Sequence, residues 1–173
     1  MNRAAWARVG ATAIAGVLVL APLSAPMASA EPTAYQFANC YDASRPVQEQ
    51  PATVVYGCDD TSVMENMVWT TWGADGATGT GVDTAIECQP NCAEGRRLVN
   101  PIVVHAWNPA PAEQPGCPAG VEFYRDFTVA YPESVPPWVQ PGTSWTEDVS
   151  YVYVDGMPAA HFTNQTPYSC TTP

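Results

Sequence analysis

The sequence predicts a mainly β protein, folded as a single antiparallel β-sandwich or partly open barrel that three disulfides stabilise. Short runs of β-branched and aromatic residues alternate with Gly/Pro-rich loops, and no long stretch shows helical periodicity. The chain also contains six cysteines, and an even number of cysteines in an exported chain is typical of a disulfide framework. We expect an irregular N-terminal arm and an irregular tail at the two ends.

Residues 1–30 have the features of a signal peptide that is cleaved after Ala30. Two arginines precede the uncharged apolar run 9–23, and residues 28–30, Ala-Ser-Ala, give the small-x-small pattern of a cleavage site. The run is shorter than the roughly 20 apolar residues of a spanning helix, and no later stretch of the sequence is apolar over such a length. We therefore expect residues 31–173 to be secreted or held at the cell envelope by contacts.

Residues 31–52 are interpreted as the irregular arm, because they contain three prolines and show no clean period. The β-domain then covers residues 53–165. It begins with the β-branched and aromatic run TVVYGC at 53–58, which predicts a strand. The tail, residues 166–173, shows no regular pattern and contains Cys170.

The segment that follows the first strand, residues 59–72, is ambiguous. Ser62 and Glu65 have the spacing of a helix capping box, and two methionines and a valine fall at helical spacing. The run Trp-Thr-Thr-Trp at 69–72, in contrast, prefers a pleated surface. We expect a turn at 59–64 and then a strand that ends with this run.

Residues 77–88 alternate between two kinds of side chain, which predicts a strand with two different faces. Larger residues share one face and small residues share the other, with one acid among them. The first set is Thr78, Thr80, Val82, Thr84 and Ile86, and the second is Ala77, Gly79, Gly81, Asp83 and Ala85. Small residues on one face allow another layer to approach closely, or they mark a bulge.

The later strands are expected at 97–107, at 121–131 and on both sides of an Asp-Gly pair at 155–156. Pro101 cannot donate to a strand ladder, so it should lie at an edge, at a bulge or before the paired part. The alternation at 121–131 is the clearest in the chain. Asp-Gly between two short strand-like runs predicts a two-residue hairpin.

The expected mature chain is strongly acidic. The full sequence has 17 acidic and 6 basic residues, and two arginines precede the cleavage site, which leaves four basic residues and a formal net charge of −13. This balance argues against nucleic acid and against anionic membrane surfaces as partners. Solubility in an extracellular medium explains the acidity, and attraction of cations or of a basic partner is the alternative.

Six cysteines lie in the expected mature part: Cys40, Cys58, Cys88, Cys92, Cys117 and Cys170. We expect a Cys40–Cys170 bond that joins the two irregular ends, with Cys58–Cys88 and Cys92–Cys117 as the other bonds. The alternative for these four is Cys58–Cys92 with Cys88–Cys117. A direct Cys88–Cys92 bond would close a very small ring, so separate partners are expected.

Metal, redox and nucleotide sites are less favoured interpretations of the same segments. Four of the cysteines could ligate zinc, or Cys88 and Cys92 could form a redox pair, but an oxidising medium favours disulfides. The glycine-rich segment 76–81 is not followed by a helix, as a phosphate-binding loop would be. Asp75 and Asp83 lack the regular acidic spacing of a calcium loop. We therefore predict no metal and no cofactor.

His105 and His161 are the only histidines. Either one could act as a general base with nearby carboxylates, such as Glu87 with Glu94 or the acid pair at 59–60. Because the chain has 17 acidic residues, such pairs arise by chance. A structural role for both histidines is the simpler interpretation.

Five tryptophans lie in the expected mature part. Trp69, Trp72 and Trp107 fall on predicted strands, and we consider them as a candidate binding face for a glycan or a peptide. Core packing and loop anchoring are the simpler interpretation of the tryptophans.

Four segments together resemble a known family: YGCDD at 56–60, MVWTTWGADGATGTG at 67–81, ECQPNCAEG at 87–95 and FYRDFTVAY at 123–131. The family consists of small exported actinobacterial proteins of mycobacterial type, which have no assigned biochemical function. The resemblance covers about residues 53–131. It implies a secreted β-domain, and it supplies no catalytic residues.

The sequence favours an exported, non-enzymatic β-domain that binds a protein, glycan or lipid partner at the envelope or in the medium. One alternative is a secreted hydrolase, which would need His105 or His161 together with carboxylates in a cleft. Another is a secreted protease inhibitor, which would use an exposed, disulfide-anchored loop around Cys117.

Overall fold

The computed structural model describes residues 34–171, and this part of the chain forms nine β-strands and no helix. One antiparallel sheet curls into a half-barrel, which confirms the mainly β prediction in its partly open barrel form. The expected signal peptide, residues 1–30, lies outside the described residues. The strands are β1 (Ala34–Phe37), β2 (Thr53–Gly57), β3 (Ser62–Thr71), β4 (Ala77–Glu87), β5 (Arg96–Pro111), β6 (Val121–Ala130), β7 (Ser144–Thr146), β8 (Val149–Val154) and β9 (Met157–Phe162).

Within residues 34–171, the structure has no helix that is long and apolar enough to cross a membrane. The strand order is β2-β3-β4-β5-β6-β9-β8-β7, with antiparallel neighbours. β1 is the exception, because it pairs in parallel with the first half of β6, while β9 pairs with the second half.

β1 corrects the prediction of a wholly irregular arm. Its four residues lie opposite residues 121–124 of β6. A strand this short shows no alternation in the sequence, and its partner lies far along the chain, so no local pattern indicates it. The rest of the arm, residues 38–52, has no strand and no helix and is called the arm loop below.

The curl of the sheet brings β1 close to β2 and β3. β1 and β2 run in the same direction, because β1 is parallel to β6 and four antiparallel pairings separate β6 from β2. The ring of Phe37 in β1 lies 5.8 Å from the ring of Trp69 in β3. Cys40 follows β1, Cys58 follows β2, and a disulfide joins the two cysteines with their Cα atoms 4.9 Å apart.

All three predicted disulfide pairings are wrong. The bonds are Cys40–Cys58, Cys88–Cys92 and Cys117–Cys170. The curl places the ends of β1 and β2 together, so Cys40 pairs with Cys58 and not with the tail. Cys88 and Cys92 pair within the turn between β4 and β5, although the ring is small. The tail then joins the loop before β6.

The ambiguous segment is a strand that starts earlier than predicted, at Ser62. A β-bulge explains its helical spacing, because the pairing register shifts between Glu65 and Val68 and Asn66 has a positive φ of 54°. The extra residue turns both Met64 and Met67 into the core. Two buried residues three positions apart therefore arise without a helix.

The two predicted faces of β4 are confirmed. Asp83, Ala77 and Ala85 are buried on the concave side, and the glycines between them allow β3 side chains to lie against the backbone. A Cβ atom on Gly79 would lie 2.6 Å from the Trp69 ring and 3.0 Å from the carbonyl oxygen of Val68.

Gly79→Ala is expected to destabilise the protein by about 1–3 kcal/mol, because the added methyl group displaces the Trp69 ring in a packed core. Urea unfolding followed by circular dichroism measures the change. Thr80→Ala on the exposed face of the same strand is the control and should cost clearly less. An equal loss of stability at the two positions would contradict the close approach of the Trp69 ring to the backbone at Gly79.

Aromatic side chains fill the concave side of the half-barrel. The Phe37 ring lies 5.2 Å from that of Phe127, which stacks on Phe162 at 4.3 Å. Trp69 and Trp72 pack against the same cluster. The concave side is therefore a packed core, and much of its aromatic surface is removed from water.

A second, smaller core lies under the arm loop. Ala34, Ala38, Val121 and Phe123 form it, and the half-buried ring of Tyr41 covers Phe123 at 5.0 Å. The arm loop is therefore packed against the sheet although it has no regular structure.

Two local predictions in the second half of the chain are confirmed. Pro101 pairs with Val82 of β4, while the pairing of β5 with β6 begins only at Val103, so Pro101 lies where one side of β5 is an edge. Asp155 and Gly156 form the two-residue turn between β8 and β9, and both have positive φ.

Candidate functional site

A groove lies beside the Cys40–Cys58 bond, between β1, β2 and the arm loop. Its volume is 380 Å³, and Gln36 of β1 and Thr53 of β2 are among its lining residues. We call it the clasp groove, because the disulfide clasps the two strands at one end. A volume of this size lies within the ~300–1,000 Å³ range of ligand pockets in proteins.

A second cavity of 530 Å³ is lined by the same disulfide and reaches the C-terminal tail. The two cavities share Cys40, Cys58, Tyr41 and Asp42. The Tyr168 side chain, which is 92% exposed, lines the second cavity. Both cavities therefore lie against the same disulfide.

Side-chain hydrogen bonds from β1 and within the arm loop fix the shape of this loop at the groove. The Gln36 side chain donates a hydrogen bond of 2.5 Å to the carbonyl oxygen of Gln48. Asp42 accepts hydrogen bonds from the backbone and the hydroxyl of Ser44 and forms an ion pair of 3.1 Å with Arg45. The hydrogen bonds from Ser44, with a smaller contribution from Arg45, lower the pKa of Asp42. This carboxylate is therefore ionised at neutral pH.

The electrostatic balance of the groove is negative. Two carboxylates line it, Asp42 and Asp60, against one guanidinium, Arg45. Arg45 is already paired with Asp42, whereas no described residue forms a hydrogen bond or an ion pair with the Asp60 carboxylate. Asp60 is exposed in the turn after β2, with a positive φ of 59°.

The two histidines meet on the convex face of the sheet. The indole of Trp107 lies 5.0 Å from the imidazole of His105 and 5.5 Å from that of His161, with angles of 26° and 30° between the rings. The strand register aligns His105, Thr128 and His161 across β5, β6 and β9. The three rings form a stack that bridges three strands.

This stack lacks the features of a hydrolytic site. In the part of the chain that the structure describes, neither histidine has a hydrogen bond or an ion pair with a carboxylate. Asp126 pairs in register with Trp107, but its oxygens accept hydrogen bonds from Asn108 and Asn164. Each histidine instead packs against the indole, so the geometry gives the hydrolase alternative no support.

The three candidate tryptophans do not share a face. Trp69 and Trp72 pack against the concave core, with their rings 4.8 Å apart. Trp107 lies on the convex face. The core interpretation therefore holds for the first two, and they do not form the binding face considered for them.

The proposed zinc ligands are all in disulfides, since the described residues include no free cysteine. Among residues 34–171, no three His, Cys, Asp or Glu side chains are grouped so that they could hold a metal ion. Asp75 is exposed in the turn before β4, whereas Asp83 is fully buried. These two acids therefore do not combine in one site.

The sequence suggests only a calcium ligand at Asp83, whereas in the structure Asp83 is a fully buried titratable group. Its carboxylate accepts hydrogen bonds of 2.7 Å from the Tyr56 hydroxyl and 3.0 Å from the Tyr131 hydroxyl. Burial raises the pKa of Asp83, and the two hydrogen bonds oppose this shift only in part. Burial also raises the pKa of Tyr56 and Tyr131. The sequence indicates the burial of this carboxyl, because Asp83 is the one acid on the small-residue face of β4.

Stability should depend on pH through Asp83. The pKa of the Asp83 carboxyl is higher in the folded than in the unfolded protein, so the folded state binds the carboxyl proton more tightly. The contribution of Asp83 to the free energy of unfolding therefore falls as pH rises from the unfolded-state pKa through the folded-state pKa. Asp83→Asn removes the effect, so the free energy of unfolding of the variant relative to wild type should increase from about pH 4 to pH 7. Urea unfolding of both proteins across this pH range tests the prediction. A difference in free energy of unfolding that does not change with pH would contradict a raised pKa at Asp83.

No protein-family model, curated protein or solved structure matches this chain.

Proposed function

We propose that the chain is an exported, disulfide-stabilised β-domain that acts without catalysis and binds its partner in the clasp groove, at the cell envelope or in the medium. One observation carries the proposal: an open groove of 380 Å³ lies between β1 and β2 beside the disulfide that joins them. The concave interior, in contrast, is filled by aromatic side chains.

The export part of the proposal rests on the predicted signal peptide and is supported by three disulfides. We also propose that the chain belongs to the exported actinobacterial family that its motifs resemble. In support, the motif segments fall on β2, β3 and β4, on the Cys88–Cys92 turn and on β6. β2, β3 and β4 are neighbours in the sheet, and only β5 separates them from β6. N-terminal sequencing of the protein from an expressing culture should begin at Glu31.

A blocked groove tests the binding part. Thr53 is exposed and lines the groove, so Thr53→Trp should fill part of it and abolish retention of the protein by isolated cell envelopes. Thr80→Trp makes the same change at an exposed position on the convex face and should leave retention intact. Equal retention of the two variants would show that the partner binds elsewhere.

Protease inhibition is a second candidate, because the structure has the loop that it requires. The loop between β5 and β6 is exposed at Glu113 and Pro115, and the Cys117–Cys170 bond anchors it to the tail. A Cβ on Gly116 would lie 2.8 Å from Thr171, so the loop rests closely on the tail. Failure to inhibit a broad panel of secreted proteases would remove this candidate.

A further inference from the structure

We propose that the ligand of the clasp groove is a cationic polypeptide segment in extended conformation, which lies along the edge of β2. This inference rests on the proposed function, because it names the class of ligand for the same groove. Three features support it: the edge of β2, the charge of the groove and the shape of the site.

The strand edges at the groove are suited to an added strand. Among the described residues, β2 pairs with β3 on one side and with no strand on the other, and it does not pair with β1. Thr53 and Val55 of β2 line the groove. Every second residue of an edge strand directs its backbone N–H and C=O away from the sheet, and an extended peptide can bond to these groups.

Charge complementarity selects a cationic ligand. The groove has two carboxylates and one guanidinium, and that guanidinium is already paired with Asp42. Asp60 thus presents a carboxylate that no described residue binds. The full chain has a net charge of −11 and contains no lysine, so its field attracts cations and repels anionic glycans, lipids and nucleic acids.

The shape of the site favours a polypeptide over a metal ion or a small amine. Asp42 follows Cys40 in the arm loop and Asp60 follows Cys58 after β2, so the two carboxylates belong to different segments that the disulfide joins. The second cavity shares Cys40 and Cys58 with the groove, and Tyr41 and Tyr168 are among its lining residues. An extended chain can occupy both cavities at once, with aromatic rings beside its cationic side chains.

The probe is a capped hexapeptide that alternates lysine and valine, titrated into isotopically labelled protein and followed by NMR. We expect chemical-shift changes concentrated in residues 36–42 and 53–60. The capped Glu/Val counterpart should not bind. A Lys/Val peptide with alternate backbone nitrogens methylated should bind at least about tenfold more weakly, because it cannot complete the strand ladder.

Two matched substitutions test the charge. Asp60→Asn should weaken binding of the Lys/Val peptide about three- to tenfold, whereas Asp155→Asn should leave it unchanged. Both residues are exposed in turns with positive φ, a conformation that asparagine also adopts, so both variants are expected to fold. Asp155 does not line either cavity.

Three results would overturn the inference: equal binding of the Glu/Val peptide, equal binding of the methylated peptide, or shifts outside the groove. The proposed function is judged separately by the Thr53→Trp variant. If that variant loses envelope retention while the Lys/Val peptide fails to bind, the ligand class is wrong and the groove remains the site. If retention persists, the groove itself is not the site.

Discussion

Replacing Cys117 and Cys170 together by alanine is expected to lower the free energy of unfolding by about 4 kcal/mol. The bond spans 53 residues, and a cross-link over a loop of that length removes much conformational entropy from the unfolded chain. Cys170 is also buried, with 4% of its surface exposed. Guanidinium unfolding of the wild type and the double variant under non-reducing conditions measures the difference.

The Cys88–Cys92 bond provides the matched control, because it spans only 4 residues. Replacing that pair by alanine should cost about 2 kcal/mol or less on the same entropic argument. The Cys40–Cys58 pair, with a separation of 18, should fall between these two at about 3 kcal/mol. Any other order would show that strain or residual structure, and not loop length, sets these energies.

Phe37→Ala is expected to destabilise the protein by about 3–5 kcal/mol, which is the usual cost of removing a buried phenylalanine. Phe37 is 4% exposed, and its ring contacts those of Trp69, Trp72 and Phe127. The substitution leaves a cavity where β1 meets β3. Urea unfolding measures the loss, and the near-ultraviolet circular dichroism of the tryptophans should change with it.

Tyr168→Ala is the control for Phe37→Ala. Its side chain is 92% exposed, so the free energy of unfolding should change by less than about 0.5 kcal/mol. A small effect at Phe37 would mean that β1 is not part of the core. In that case the clasp groove would lose one of its walls.

Local sequence patterns were sufficient to predict most of the sheet. The alternation in residues 77–88 gives both the strand and its buried face, since glycine and alanine on one side allow β3 to approach. Asp155-Gly156 gives the last hairpin because few other dipeptides adopt its backbone conformation. These features depend on neighbouring residues, so the sequence displays them directly.

The features that define the groove depend on contacts between distant parts of the chain. β1 is a strand because it pairs in parallel with β6, more than 80 residues later. Cys40 meets Cys58 because the whole sheet curls, which no local pattern specifies. The sequence shows Asp60 only as half of a carboxylate pair, and its place at the groove follows from the turn after β2.

The convex-face stack shows how residue type can mislead about function. Two histidines and a tryptophan in one cluster suggest catalysis or ligand binding, yet the imidazoles pack against the indole and no described carboxylate bonds to either. The cluster is better explained as cross-strand packing over β6, where Thr128 is buried beneath it.

Hydrogen–deuterium exchange of the protein, with and without isolated cell envelopes, tests the binding account most directly. We expect protection on binding to be confined to residues 36–48 and 53–60, which line the clasp groove, and we expect Thr53→Trp to remove it. Protection centred on Trp107 and the strands beside it, with the groove unchanged, would contradict the account and transfer the function to the convex face.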